Sequence, residues 1–84
     1  MLHAGLDLSR KRLDFCLLDG LGGRVEVGAV PPDGDGLAGF VRRVEERHGQ
    51  TVRAAIESMN GARFVHDTLE RLGWEVEIAD AARV

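Results

Sequence analysis

Residues Leu2 to Leu8 are mostly apolar and end at a turn-like Ser9-Arg10-Lys11. Leu13, Phe15 and Leu17 then alternate with Asp14, Cys16 and Leu18, the two-residue period of a strand. Asp19-Gly20 and Gly22-Gly23 mark a reversal. A third strand follows, with Val25 and Val27 facing one way and Arg24 and Glu26 the other. These three segments read as an antiparallel meander. The first two are richer in apolar residues, which predicts a central first strand and a third strand at an edge.

Pro31-Pro32-Asp33-Gly34 breaks the alternation, and the period changes after it. Leu37, Phe40, Val41 and Val44 recur at i, i+3, i+4 and i+7, the stripe of an amphipathic helix, with Asp35 as its expected cap and Gly49 as its stop. Positions 51–56 form an apolar, β-branched strand that runs into Glu57. Ser58-Met59-Asn60-Gly61 opens a second helix whose expected buried stripe is Ala62, Val65, Leu69 and Leu72, closed by Gly73. Trp74, Val76 and Ile78 alternate with Glu75 and Glu77 as a fifth strand. The order is β-β-β-α-β-α-β. Strands joined through a helix within one sheet pair in parallel by a right-handed crossover. The simplest packing is therefore a mixed five-stranded α/β sheet in the order 3-2-1-4-5.

Composition narrows the class without naming a function. Eighty-four residues make one small domain, 44% hydrophobic and 30% charged, as in ordinary globular chains. No apolar run is long enough to span a bilayer. Cys16 is the single cysteine, which excludes an intrachain disulfide and fits a reducing cytoplasm. A net charge of -3 argues against a strong footprint for nucleic acid over this segment as a whole. Basic residues do cluster, at Arg10, Lys11 and Arg12 and at Arg42, Arg43 and Arg47.

Two acids draw chemical attention. Asp7 lies near the carboxyl end of the expected central strand, and Glu57 ends the fourth. If those strands are parallel neighbours about 4.8 Å apart, both carboxylates reach one rim of the sheet. Converging carboxylates suit a hard divalent cation such as Mg²⁺ or Mn²⁺. Plainer roles fit equally well: Asp7 accepting from the amides of Ser9 or Arg10, and Glu57 serving as a first-turn acid of the second helix. Asp14 reads as a polar strand residue, Asp80 as a turn residue, and Cys16 as a small buried apolar side chain. The histidines His3, His48 and His66 lack zinc-site spacing. Arg10, Lys11 and Arg12, in the turn beside Asp7, are candidates for phosphate contact.

The stretches GLDLSRKRLDFCLLDG (5–20) and AAIESMNGARFVHDTLERLGWEVEIADA (54–81), with the helix between them, resemble the start of DEDD-type insertion-sequence transposases, relatives of the Piv-type site-specific DNA invertases. The resemblance covers essentially the whole chain. It implies a ribonuclease H-like, RuvC-like catalytic domain of which residues 1–84 form the amino-terminal portion. It places the family's first aspartate on Asp7 and its glutamate on Glu57. It also implies Mg²⁺ or Mn²⁺ in the complete enzyme, and DNA and a structured guide RNA as partners. The family's other two aspartates are expected beyond Val84, and its strand-exchange serine in a further domain. The chain by itself is accordingly expected to be inactive.

Two other classes compete: a fragment of an actin-like sugar kinase or ATPase, and a catalytically silent interaction module. The first shares the strand order and an early aspartate. However, its phosphate loop is glycine-rich, whereas this one reads Ser-Arg-Lys-Arg. A further expectation concerns assembly. Leu2, Leu6, Leu8, Leu13, Phe15, Leu17, Val25, Val27, Ile56, Trp74, Val76 and Ile78 look too numerous for two short helices to hide, which predicts a homo-oligomer.

Overall fold

A computed structural model describes residues 1–80. Strands β1 (Leu2–Leu8), β2 (Leu13–Leu18) and β3 (Arg24–Val30) are followed by helix α1 (Gly34–His48), strand β4 (Val52–Glu57), helix α2 (Ala62–Arg71) and strand β5 (Glu75–Ala79). The sheet order is β3-β2-β1-β4-β5. β2 is antiparallel to both β1 and β3, whereas β1, β4 and β5 run parallel. This is the mixed α/β, ribonuclease H-like arrangement that the pattern predicts.

Each central strand buries every second residue. Leu2, Ala4, Leu6 and Leu8 of β1, Leu13, Phe15 and Leu17 of β2, and Val52, Ala54 and Ile56 of β4 all enter one core. Leu37, Phe40 and Val44 of α1 and Ala62, Val65, Thr68 and Leu69 of α2 complete it. The Phe40 ring packs 4.5 Å from Phe15 and 5.1 Å, edge-on, from Trp74, so a single aromatic of α1 ties β2 to the start of β5. A fully buried side chain such as Leu69 contributes about 2 kcal/mol through its area alone.

Four local expectations change. Asp33, not Asp35, caps α1: its Oδ1 accepts from the Gly36 amide at 2.7 Å, which leaves Asp35 in the first turn beside the positive end of the helix dipole. Leu72 falls beyond the last turn of α2 and is 39% exposed, and Thr68 takes the fourth buried place. In β3 the register shifts between Leu17 and Leu18, so Arg24 pairs with Leu18 and the strict alternation is lost. Glu26, opposite Leu17, lies on the helix side, where Arg47 Nη1 donates to it at 2.8 Å and His48 Nε2 lies at 3.2 Å.

The apolar surplus is not observed either. Of the residues thought too numerous to hide, nine are buried under the two helices and Ile78 is partly buried; only Val25 and Val27, at 42% and 57%, stay exposed. β1, β2, β4 and β5 direct nearly all their large apolar residues to the same side, so one helical layer suffices for them. The opposite face carries mainly small and polar residues, half-buried Cys16 among them, with Leu18 and Val27 the larger apolar exceptions. Among the described residues, no helix is long and apolar enough to cross a membrane.

The two candidate caps are separable by substitution. Asp33→Ala should cost about 1 kcal/mol, which in a domain of this size lowers the Tm by roughly 4–8 °C, whereas Asp35→Ala should cost less than half as much. Thermal unfolding of both variants, followed by circular dichroism, checks this. Equal losses would mean that Asp33 is not the dominant cap.

Candidate functional site

The helix-free face can be mapped row by row from the strand register. Asp7 pairs with Asp14 across β1 and β2, and Asp14 with Ala29 of β3. On the other side Leu6 pairs with Ile56, which brings the next residues, Asp7 and Glu57, side by side; Glu57 pairs with Ala79 of β5. The row therefore reads Ala29, Asp14, Asp7, Glu57, Ala79. The next row is almost free of bulk, with Val27, Cys16, Gly5, Ala55 and Glu77 in register. A third row carries Leu18, His3, Arg53 and Glu75, where Arg53 Nε donates to Glu75 at 2.9 Å.

The plainer roles for the two candidate acids are not what the structure shows. The Ser9 amide donates to the Arg12 carbonyl at 2.9 Å, and no hydrogen bond links it to Asp7. The first turn of α2 holds no acid, because Gly61 is the N-cap and Glu57 precedes it by four positions. Among the described residues neither the Asp7 nor the Glu57 carboxylate has a hydrogen-bond or ion-pair partner. Both are exposed, so water solvates them.

Asp14 is the member of the row that sequence reasoning undervalued. It lies directly across the strand pair from Asp7, and like charges in that position repel. Its partner is Arg12, whose Nε is 3.1 Å from Oδ1. The signal was available. If the turn over 9–12 closes the hairpin at Leu8 and Leu13, positions 7 and 14 must face each other. Arg10 and Lys11 sit exposed at the tip of that turn with no carboxylate within ion-pairing distance among the described residues.

No family model and no curated protein matches the chain. The geometry therefore has to carry the functional argument. Two hard oxygen donors on neighbouring parallel strands fit a divalent cation in kind. Among the described residues, however, no three His, Cys, Asp or Glu side chains gather closely enough to enclose a metal ion, so Asp7 and Glu57 supply part of a coordination shell at most. The histidines stand apart from the row: His48 meets Glu26, and His66 Nδ1 lies 2.8 Å from Asp67. No residue of the turn over 9–12 has a positive φ, so its amides do not form the left-handed nest by which glycine-rich loops grip phosphate.

The row's own repulsion is measurable. Asp7→Asn removes the charge between Asp14 and Glu57 and should stabilise the metal-free chain by about 0.5 kcal/mol at low ionic strength. In roughly 1 M salt, where the Debye length falls to about 3 Å, most of that gain should vanish. Urea denaturation at the two salt concentrations tests it; a loss of stability in both would show that the Asp7 carboxylate has a favourable partner.

Proposed function

We propose that the chain is the amino-terminal part of a DEDD-type transposase catalytic domain, which acts on DNA with a divalent metal once the remaining acidic ligands are present. The observation that carries this reading is the unpartnered pair Asp7 and Glu57, side by side on adjacent parallel strands of a ribonuclease H-like sheet. In support stand the stretches 5–20 and 54–81 with their transposase resemblance, and the cations of the 9–12 turn at the same end of the sheet. In this reading Asp7 and Glu57 hold Mg²⁺ or Mn²⁺, and the metal supplies charge stabilisation to the attacking and leaving oxygens of phosphoryl transfer. The role of this segment is positional. β1 and β4 fix the spacing of two ligands, and Arg10, Lys11 and Arg12 offer positive charge to the DNA backbone. A structured guide RNA and a cytoplasmic setting belong to the same reading.

Two carboxylates leave most of an octahedral Mg²⁺ shell to water, so the chain alone should bind the ion weakly. Calorimetric titration with Mg²⁺ and Mn²⁺ should show shallow binding that Asp7→Asn or Glu57→Gln abolishes. Supercoiled plasmid incubated with the chain and Mn²⁺ should stay intact. Tight binding that survives Asp7→Asn would place the metal elsewhere, and nicking lost in Glu57→Gln would show that the two acids suffice.

Self-association rests on a narrower base than the apolar content implied. We propose that it uses the β2–β3 hairpin, where Leu21, Val25 and Val27 are 98%, 42% and 57% exposed along an open sheet edge. Sedimentation at micromolar concentration should show a dimer that Val27→Lys converts to monomer. A wild-type monomer would remove the proposal.

A further inference from the structure

At the carboxyl end of β1, on the helix side of the sheet, a cleft of about 350 Å³ opens between the 9–12 turn, the proline loop and the start of α2. Leu8, Ser9, Arg10, Pro32, Asn60 and Phe64 line it. Phe64 is its unusual member. It stands in the first turn of α2, next to buried Val65, yet is 48% exposed. No other aromatic ring lies against it, unlike Phe15, Phe40 and Trp74, which pack together in the core. Gly61, at φ 91°, brings α2 close to β1: a Cβ there would lie 3.2 Å from Leu8 Cδ2. A side chain at 61 would crowd Leu8 and be strained by the positive φ.

The one charged side chain that lines the cleft is a cation. Arg10 lines it, Lys11 follows at the tip of the turn, and Arg63 precedes Phe64 on the helix. None of the three has a carboxylate within ion-pairing distance among the described residues. In a chain of net charge -3, an exposed aromatic thus shares its cleft with the unpaired Arg10, while Lys11 and Arg63 are chain neighbours of lining residues. An apolar partner alone would leave those cations unpaired, whereas a phosphodiester with an unstacked base satisfies the cations and the ring together.

We infer that this cleft binds single-stranded nucleic acid, with one base stacked on Phe64 and the adjoining phosphate held by Arg10. The inference deepens the transposase reading and rests on it for biological meaning, but its chemistry is independent of any metal. Asp7 and Glu57 lie at the same end of the sheet on the opposite face. A strand crossing that edge would meet the cleft on one side and the acids on the other.

The test is fluorescence anisotropy of labelled twelve-residue oligothymidylate and oligouridylate with the full chain, at low salt and in the presence of a chelator. Phe64→Ala should weaken binding roughly five- to a hundred-fold, the range expected for losing one base–aromatic stack. Phe64→Leu, which keeps the apolar bulk, should weaken it as well, whereas Phe64→Trp should retain it. Arg10→Ala should weaken binding and make the log–log salt dependence shallower by about one. An abasic backbone should bind wild type no better than the intact oligonucleotide binds Phe64→Ala, and the tighter of the two oligonucleotides identifies DNA or RNA as the source. Circular dichroism melts establish that each variant is folded. Absent binding by wild type, or binding by Phe64→Ala and Phe64→Leu as tight as that of wild type, overturns the inference. Binding is read with the chelator present, so a failed metal titration with an intact Phe64 effect would remove the metal reading alone.

Discussion

β1 is hydrogen-bonded on both sides, to β2 and to β4, and the parity of its residues decides the character of the whole sheet. Leu2, Ala4, Leu6 and Leu8 point to the helices, and His3, Gly5 and Asp7 point away. A slip of one residue would drive Asp7 into the core and four apolar side chains into water. Burying an unpaired carboxylate costs several kcal/mol in a domain whose total stability is of the order of 5–10 kcal/mol. The register is held firmly for that reason. The same constraint fixes Asp14 and Glu57, because each strand inherits its facing from β1 through the hydrogen-bond ladder.

One face of the sheet carries the fold and the other contributes little to it. The large side chains of β1, β2, β4 and β5 go beneath α1 and α2, centred on Phe15, Phe40 and Trp74. On the far face Gly5 and Ala55 add almost no bulk, and a Cβ built on Gly5 meets nothing within 4 Å. Glycine in a strand interior weakens it, so a central glycine is better explained by a flat surface than by stability. Beside that flat row stands the acidic row, which likewise adds nothing to the fold.

Element order and strand neighbours were legible in the sequence because hydrophobic periodicity reports burial, and burial organises this molecule. The details that escaped depend on partners. Asp33 and Asp35 are equally good caps by residue type, and only the turn geometry that presents Asp33 to the Gly36 amide separates them. The facing of Glu26 depends on its pairing with Leu17, with Arg47 and His48 from α1 making the helix side acceptable, and the register shift just beyond it displaces Val25 and Arg24. Counting apolar residues overstated the exposed surface, since a count ignores that alternation sends nearly all of them the same way. For the candidate site, Asp7 and Glu57 were visible as acids at strand ends. Their lack of partners, and the presence of Asp14 in the same row, required the register.

The acidic row also constrains whatever comes to lie on the open face. In water, screening keeps the mutual repulsion of Asp14, Asp7 and Glu57 small, and Arg12 offsets part of it. Any element that covered the row would lower the local dielectric and strengthen that repulsion several-fold. Positive charge brought to the row relieves that repulsion. A covering partner must therefore bring a cation, as a metal ion or as basic side chains, or else leave the row wet. An apolar surface could settle on the Gly5 and Ala55 row, but not over Asp7 and Glu57. The sheet thus discriminates by charge along a few ångströms of one face, and the same two carboxylates that cost the fold a little stability determine what it can accept there.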